Sequence, residues 1–179
     1  MKNIILVGYR CTGKTSVGRK LSNVLNRPFI DTDNLVTEKA GLSIREIVNQ
    51  GGWKLFRKKE KEVAHQASTS SGQIIATGGG ILDDDENRLL LKRNGLFIWL
   101  TASKETILAR MQTDEQTSNQ RPALCDADQE HEIAIMLEQR EAVYRQAADL
   151  IIDTSEKSID DVVSDITRFV ARSDTDKNL

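Results

Sequence analysis

Cysteine and long apolar runs are both scarce in this 179-residue sequence. Its two cysteines, Cys11 and Cys125, match no metal-ligand spacing. We therefore expect free thiols in a reducing compartment, which favours a cytoplasmic protein over a disulfide-stabilised secreted one. No segment approaches the ~20 apolar residues that a membrane-spanning helix needs, and the first apolar run is too short for a signal peptide. We therefore expect no association with a membrane.

A strong net charge is absent as well. The 25 Lys and Arg residues and 27 Asp and Glu residues give a formal net charge of −2, whereas nucleic-acid binding favours a basic surface. Proline occurs only twice, at Pro28 and Pro122, and interrupts no helical pattern. The length and composition predict one domain over residues 1–172, followed by a flexible tail at 173–179. We expect a monomer that does not bind nucleic acid.

Five short, nearly continuous apolar runs predict the buried strands of a parallel sheet. They lie at 4–8, 28–31, 73–78, 96–100 and 150–153. Helical stretches separate them, and the clearest of these has apolar residues at helical spacing from Ile159 to Val170. Strands that alternate with helices predict a layered α/β fold with right-handed crossovers.

The first predicted strand leads into "GYRCTGKT" at 8–15, which has the pattern G-x-x-x-x-G-K-[ST] of a phosphate-binding loop. Backbone N–H groups of such a loop, with the following helix N-terminus, cradle phosphate oxygens. Lys14 would reach the β- and γ-phosphates, and the Thr15 hydroxyl would bind Mg²⁺. Cys11 is either a small side chain tolerated in the loop or a thiol activated by the helix N-terminus.

Two carboxylates lie at the end of the second predicted strand, in "FIDTD". Asp31 and Asp33 would lie at the sheet edge where ligands bind in open α/β folds, one serving the metal and the other a substrate hydroxyl. Alternation along an extended chain would put both on the same side. Asp33 would alternatively cap the helix that follows. Asp153 also ends a predicted strand, but we favour a structural turn role there.

Charged residues on two predicted helices indicate a second ligand. Arg57 and Glu60 are one helical turn apart and form either a surface ion pair or part of a site near "ATGGG" at 76–80. The three glycines would let the backbone approach a small ligand closely. Arg140 falls on the apolar stripe of its helix, so it needs a partner, either an internal carboxylate or the carboxylate of a substrate. Trp53 is expected to serve packing.

A polar segment without periodicity, 112–126, predicts a lid loop. Arg121 in this loop is either solvated or positioned to neutralise the charge of a transferring phosphate. Arg110 would end near the nucleotide, because guanidinium planes stack well on rings.

Taken in this order and spacing, "GYRCTGKT", "FIDTD", "FRKKE", "ATGGG", "QRPAL" and "QREAVY" resemble the shikimate kinase family over roughly Asn3 to Phe169. The resemblance implies ATP-dependent phosphorylation of the 3-hydroxyl of shikimate, in aromatic amino-acid biosynthesis. It also implies a three-layer P-loop kinase fold of the nucleoside monophosphate kinase type, with a five-stranded parallel sheet in the order 2-3-1-4-5.

The motifs and the resemblance together give each candidate residue a role. The catalytic residues are Asp33, Lys14 and Arg121. The ATP site comprises Gly8, Arg10, Cys11, Thr12, Gly13, Lys14, Thr15, Ser16, Arg110 and Arg121. The resemblance implies that Arg110 stacks on the adenine. The acceptor site, mainly within 33–61, comprises Asp33, Arg57, Glu60, Gly78, Gly79, Gly80 and Arg140. In the family resemblance, Arg57 and Arg140 bind the shikimate carboxylate. The Mg²⁺ shell comprises Thr15 and Asp31, the latter through water.

The sequence departs from the family pattern at Cys11, where a glycine is common, in "RPAL", in "QREAVY", which lacks an Asn-Pro, and at Trp53. None of these departures removes a residue with a chemical role. Two other functions stay open: another small-metabolite kinase such as a gluconate kinase, and a nucleotide-binding regulator without transfer activity.

Overall fold

The computed structural model describes residues 1–113 and 129–175. The strands are β1 (Asn3–Val7), β2 (Phe29–Asp31), β3 (Ile74–Ala76), β4 (Gly95–Thr101) and β5 (Leu150–Asp153). The helices are α1 (Lys14–Leu25), α2 (Thr32–Ala40), α3 (Ile44–Thr69), α4 (Asp85–Arg93), α5 (Lys104–Thr113), α6 (Gln129–Ala147) and α7 (Ile159–Thr175). A short 3₁₀ turn, Ile81–Asp83, lies between β3 and α4.

The five strands form one parallel sheet in the order β2-β3-β1-β4-β5. β1 is central, and its Ile4 pairs with Ile74 of β3 on one side and Leu96 of β4 on the other. The strand positions expected from the apolar runs and the order implied by the family resemblance are both confirmed.

The apolar runs are continuous because helices cover both faces of the sheet. Side chains alternate along a strand, so Ile4 and Leu6 of β1 pack with α1 and α7, while Ile5 and Val7 pack with α3, α4 and α6. All four side chains are fully buried, and each such burial contributes about 1.5–3 kcal/mol to stability. The result is a three-layer α/β architecture.

The ends of two helices differ from the expected boundaries. α5 continues through Thr113, so residues 112 and 113 of the expected lid are helical, and the remainder, 114–126 with Arg121, lies outside the described residues. α7 continues to Thr175, three residues beyond the predicted domain end. Within the described ranges, no helix is long and apolar enough to cross a membrane.

A break divides α3 into two helical segments. Gly51 has φ −147° and ψ 18°, and Gly52 has φ 66° and ψ −176°, so neither is helical. The first segment begins with a capping box, in which the Ser43 hydroxyl accepts from the Glu46 backbone N–H and the Glu46 carboxylate accepts from the Ser43 N–H. The second segment begins at Trp53, and its Arg57 and Glu60 line the site described below.

Candidate active site

Three chain segments that follow neighbouring strands meet at one edge of the sheet. The phosphate loop follows β1, Asp31 ends β2, and the glycines at 78–80 follow β3. Ligands of open α/β sheets bind beyond the carboxyl ends of the strands, at the point where the strand order reverses. The fold therefore brings the candidate residues together although they are far apart in the sequence.

The phosphate loop is closely packed against the sheet. Gly8 has φ 141°, and a β-carbon there would lie only 2.1 Å from the Leu100 carbonyl oxygen, so no other residue fits without a shift of the backbone. The Lys14 ammonium donates to the Tyr9 carbonyl oxygen at 2.6 Å, and the Thr12 hydroxyl donates to the same oxygen at 2.8 Å. The lysine thus folds back over its own loop.

A cleft of about 1780 Å³, partly open to solvent, runs along this loop. The expected ATP-site residues that line it are Arg10, Cys11, Thr12, Gly13, Lys14, Thr15, Ser16 and Arg110. The Arg110 guanidinium donates to the Cys11 carbonyl oxygen at 3.2 Å and to the Thr154 carbonyl oxygen at 2.6 Å, which ties α5 to the loop. The cleft is large enough for a nucleotide, and Arg121 lies outside the described residues.

Asp31 provides the oxygen atoms that a hard cation would need. The Thr15 hydroxyl donates to Asp31 Oδ2 at 2.8 Å, while Asp31 Oδ1 accepts from the backbone N–H groups of Asp33 and Asn34. Asp31 is therefore the N-cap of α2, and the alternative in which Asp33 caps the helix is wrong, because the helix already includes Thr32 and Asp33. Asp33 is likewise not in extended chain, so the alternation argument does not apply to it.

These donors fit Mg²⁺. It usually binds one or two protein oxygen ligands together with substrate phosphates and water, rather than a cage of side chains. Among the described residues, no group of three or more His, Cys, Asp and Glu side chains could hold a metal. At the competing position, Asp153 accepts from the Ser155 backbone N–H at 2.8 Å and from its hydroxyl at 2.6 Å, which is the expected turn role.

A smaller pocket adjoins the cleft, with about 410 Å³ of space between its walls, part of it open to solvent. Every residue expected to bind the acceptor lines it: Asp33, Arg57, Glu60, Gly78, Gly79, Gly80 and Arg140. Further lining residues are Tyr9, Arg10, Ile44, Trp53 and Phe56. Asp33 also lines the nucleotide cleft, so its carboxylate stands where the two spaces meet.

Glu60 lies at the bottom of this pocket rather than on the surface. Only 1% of it is exposed, and its Oε2 accepts from Arg57 Nη1 at 2.5 Å. The interpretation of the two residues as a surface ion pair is therefore wrong. Glu60 Oε1 has no hydrogen-bond partner among the described residues. Burial raises the pKa of Glu60, and the charge of Arg57 opposes that shift.

The glycine segment leaves room for these charged side chains. A β-carbon on Gly80 would lie 2.3 Å from Arg57 Nη2, and one on Gly78 would lie 2.6 Å from Asp33 Oδ1 and 2.9 Å from Glu60 Oε1. We expected the glycines to admit a ligand, but their close contacts are first of all with the side chains of the site itself.

Arg140 is buried, as its place on the apolar stripe indicates, with 8% exposed. Its Nε donates to Asp83 Oδ1 at 3.1 Å and its Nη2 donates to Asp83 Oδ2 at 2.8 Å. Of the two partners left open for this arginine, the structure supplies the internal carboxylate. The neighbouring Tyr144 hydroxyl donates to the Gly79 carbonyl oxygen, which fixes the glycine segment against α6.

Five residues of this region had no expected role in either binding site: Tyr9, Ile44, Phe56, Trp53 and Asp83. Trp53, expected only to pack, lines the pocket as well as contacting Phe56 edge to face, with ring centroids 5.6 Å apart. Asp83 was not singled out at all. The one signal for it is its position in the acidic run at 83–85, which begins three residues after the last of the glycines.

Comparisons with known proteins agree with this geometry. Residues 10–171 match the family model described as shikimate kinase. A shikimate kinase of Syntrophus aciditrophicus is 41% identical over 175 residues, covering 93% of this chain and 90% of the relative. One of Caldanaerobacter subterraneus is 42% identical over 168 residues, covering 94% and 95%. Among solved structures, a shikimate kinase from Acinetobacter baumannii in complex with shikimate has a TM-score of 0.89 and 31% identity, covering 97% of this chain and 94% of that one.

Proposed function

Because the chain belongs to the shikimate kinase family, we propose that it transfers the γ-phosphate of ATP to the 3-hydroxyl of shikimate. The products are shikimate 3-phosphate and ADP, and the reaction belongs to aromatic amino-acid biosynthesis. One observation carries the proposal: a pocket with Arg57 and Arg140 adjoins a phosphate-loop cleft, and Asp33 lines both. An acceptor with a carboxylate at one end and hydroxyls at the other matches this arrangement.

Phosphoryl transfer proceeds through a loose transition state, so positioning and charge neutralisation account for most of the catalysis. Arg57 and Arg140 hold the acceptor by its carboxylate, which directs a hydroxyl towards Asp33. Asp33 orients that hydroxyl and accepts its proton late in the transfer. Glu60 keeps Arg57 in place through the 2.5 Å hydrogen bond.

On the nucleotide side, the Lys14 ammonium exchanges the Tyr9 carbonyl oxygen for phosphate oxygens when ATP binds. The Thr15 hydroxyl would hold Mg²⁺, with Asp31 beside it in the outer shell. When bound, Mg²⁺ neutralises charge on the phosphate oxygens. Arg110 lies beside the adenine, and Arg121, outside the described residues, contributes further positive charge from the lid and helps exclude water.

The assembly and location are part of the proposal. We propose that the protein is a monomer, and light scattering of the purified protein tests this. The dependence on ATP and the pathway support a cytoplasmic location.

The Asp33→Asn variant tests the role of the central carboxylate. We expect shikimate-dependent ADP release to fall by at least about 10²-fold, because the acceptor hydroxyl loses its base. ATP binding, measured by calorimetry, should change little. Glu38→Gln is the matched control, since Glu38 is exposed on the same helix. If Asp33→Asn turned over at the rate of the parent, Asp33 would not be the base for the acceptor hydroxyl.

A further inference from the structure

Asp83 is a charged residue next to the acceptor pocket to which the proposed function gives no role. It ends the 3₁₀ turn that follows the glycine segment. Its Oδ2 is 2.8 Å from Arg140 Nη2 and 3.9 Å from Arg57 Nη2. One carboxylate of the protein therefore lies beside both guanidinium groups that would bind the acceptor.

The contact with Asp83 occupies one edge of the Arg140 guanidinium and leaves a second edge available to a ligand. A guanidinium offers one bidentate edge through Nε and Nη2 and a second through Nη1 and Nη2. Asp83 accepts from the first edge. Nη1 lies on the other side, 3.8 Å from the point where a β-carbon of Gly79 would be. The edge away from Asp83 thus faces the glycine segment that lines the pocket.

Asp83 also differs from the arginines in its place relative to the pocket. Arg57, Arg140 and Gly79 line the pocket, whereas Asp83 is not among the described residues that line it. The Asp83 side chain, which is 40% exposed, therefore contacts Arg140 from outside the pocket lining. The second edge, on the side of Gly79, is then the one left for an acceptor.

The burial of Arg140 favours a fixed partner for its charge. The Arg140 side chain is only 9% exposed, and a buried charge needs a charged, hydrogen-bonded partner. Without Asp83, the long side chain would have several rotamers available before the acceptor binds. Ordering it at that moment would reduce the affinity for the acceptor.

We propose that Asp83 is a positioning residue for the acceptor, which orients the Arg140 guanidinium so that its second edge meets the acceptor carboxylate. This inference rests on the proposed function and adds to it a residue outside the expected acceptor-binding set. It assigns Asp83 to acceptor recognition and not to phosphoryl transfer itself.

Three variants test the inference: Asp83→Asn, Asp83→Glu and the control Asp85→Asn. Asp85 is highly exposed two residues away and pairs with Arg88 on the surface. For Asp83→Asn, whose amide loses one acceptor oxygen and the charge, we expect KM for shikimate to rise about ten-fold. The kcat and KM for ATP should stay within about two-fold of the parent values. Asp83→Glu keeps the carboxylate and should recover most of the loss, while Asp85→Asn should match the parent.

Shikimate binding without ATP gives a second readout. Titration followed by tryptophan fluorescence uses Trp53 in the pocket wall and should give the same about ten-fold change in Kd for Asp83→Asn. It is recorded below the unfolding transition of each variant, so a loss of stability does not enter the result.

Three results would overturn the inference in an active parent. The first is an unchanged KM and Kd for Asp83→Asn. The second is a lower KM, because Asp83 would then occupy the place of the acceptor carboxylate. The third is an equal effect of Asp83→Asn and Asp83→Glu, because the carboxylate would then not matter. A parent that ignores shikimate is a different failure, since it removes the proposed function and this inference with it.

Discussion

At the scale of single residues, Asp31 shows how one side chain serves both the fold and the site. Its Oδ1 caps α2 while its Oδ2 accepts from the Thr15 hydroxyl at 2.8 Å. The cap fixes the carboxylate beside the phosphate loop. The metal role proposed for Asp31 therefore depends on a structural role that the sequence had suggested for Asp33.

Asp31→Ala should separate these two roles when it is compared with Asp84→Ala. Asp84 caps α4 in the same way, through the backbone N–H groups of Glu86 and Asn87, but lies away from the loop. We expect each variant to lose about 1 kcal/mol of stability in urea unfolding. Only Asp31→Ala should need more Mg²⁺ for half-maximal activity. Identical Mg²⁺ curves for both variants would contradict the metal role.

The buried carboxyl of Glu60 predicts a pH dependence of stability. Its pKa is raised above the ordinary 4.5, chiefly by burial. The folded state therefore binds this proton more tightly than the unfolded state, and stability falls as pH rises through the interval above 4.5.

The non-titrating Glu60→Gln variant gives the reference for this effect. The free energy of unfolding of the parent, minus that of the variant, should decrease from acidic pH towards neutrality. Urea unfolding across that range measures the difference. A difference that rises with pH would mean that the charged form is favoured by the fold, contrary to the expectation.

At the scale of secondary-structure elements, the break in α3 lets residues from both of its segments line the acceptor pocket. Ile44 before the break and Trp53 after it both line the pocket. The adjacent glycines at 51–52 were the available sequence signal for this break. Helical spacing alone could not reveal it, because the two segments have separate periodicities.

Gly52→Ala should test whether the break depends on glycine. At φ 66° and ψ −176°, Gly52 lies in a region that is essentially restricted to glycine, and we expect a loss of about 1–3 kcal/mol. Gly41→Ala is the matched control, since Gly41 ends α2 at φ 62° and ψ 20°, a conformation that other residues visit at a cost of about 1 kcal/mol. Neither glycine has atoms within 4 Å of an added β-carbon. Urea unfolding that ranks Gly41→Ala as the more damaging change would contradict this account.

At the scale of the whole molecule, the sheet was predictable because its strands are buried on both faces, which makes their apolar runs continuous. The strand order came from the family resemblance, since apolar runs do not encode which strands are neighbours. Lys14 and Thr15 were predictable because the phosphate loop is a local motif. The contact between Arg140 and Asp83 joins residues 57 positions apart and forms only when α6 packs against the 3₁₀ turn. The burial of Glu60 could not be predicted either, because the lysines around it in the sequence indicate an exposed helix face.

The two binding spaces meet at Asp33, so the central claim is a reaction between an acceptor in one and a nucleotide in the other. ADP release by the purified protein with Mg²⁺ and ATP, recorded with shikimate, with gluconate and with no acceptor, tests it most directly. The account predicts rapid release with shikimate and only background release with gluconate or no acceptor. Release that ignores shikimate, or that gluconate supports equally well, would contradict it.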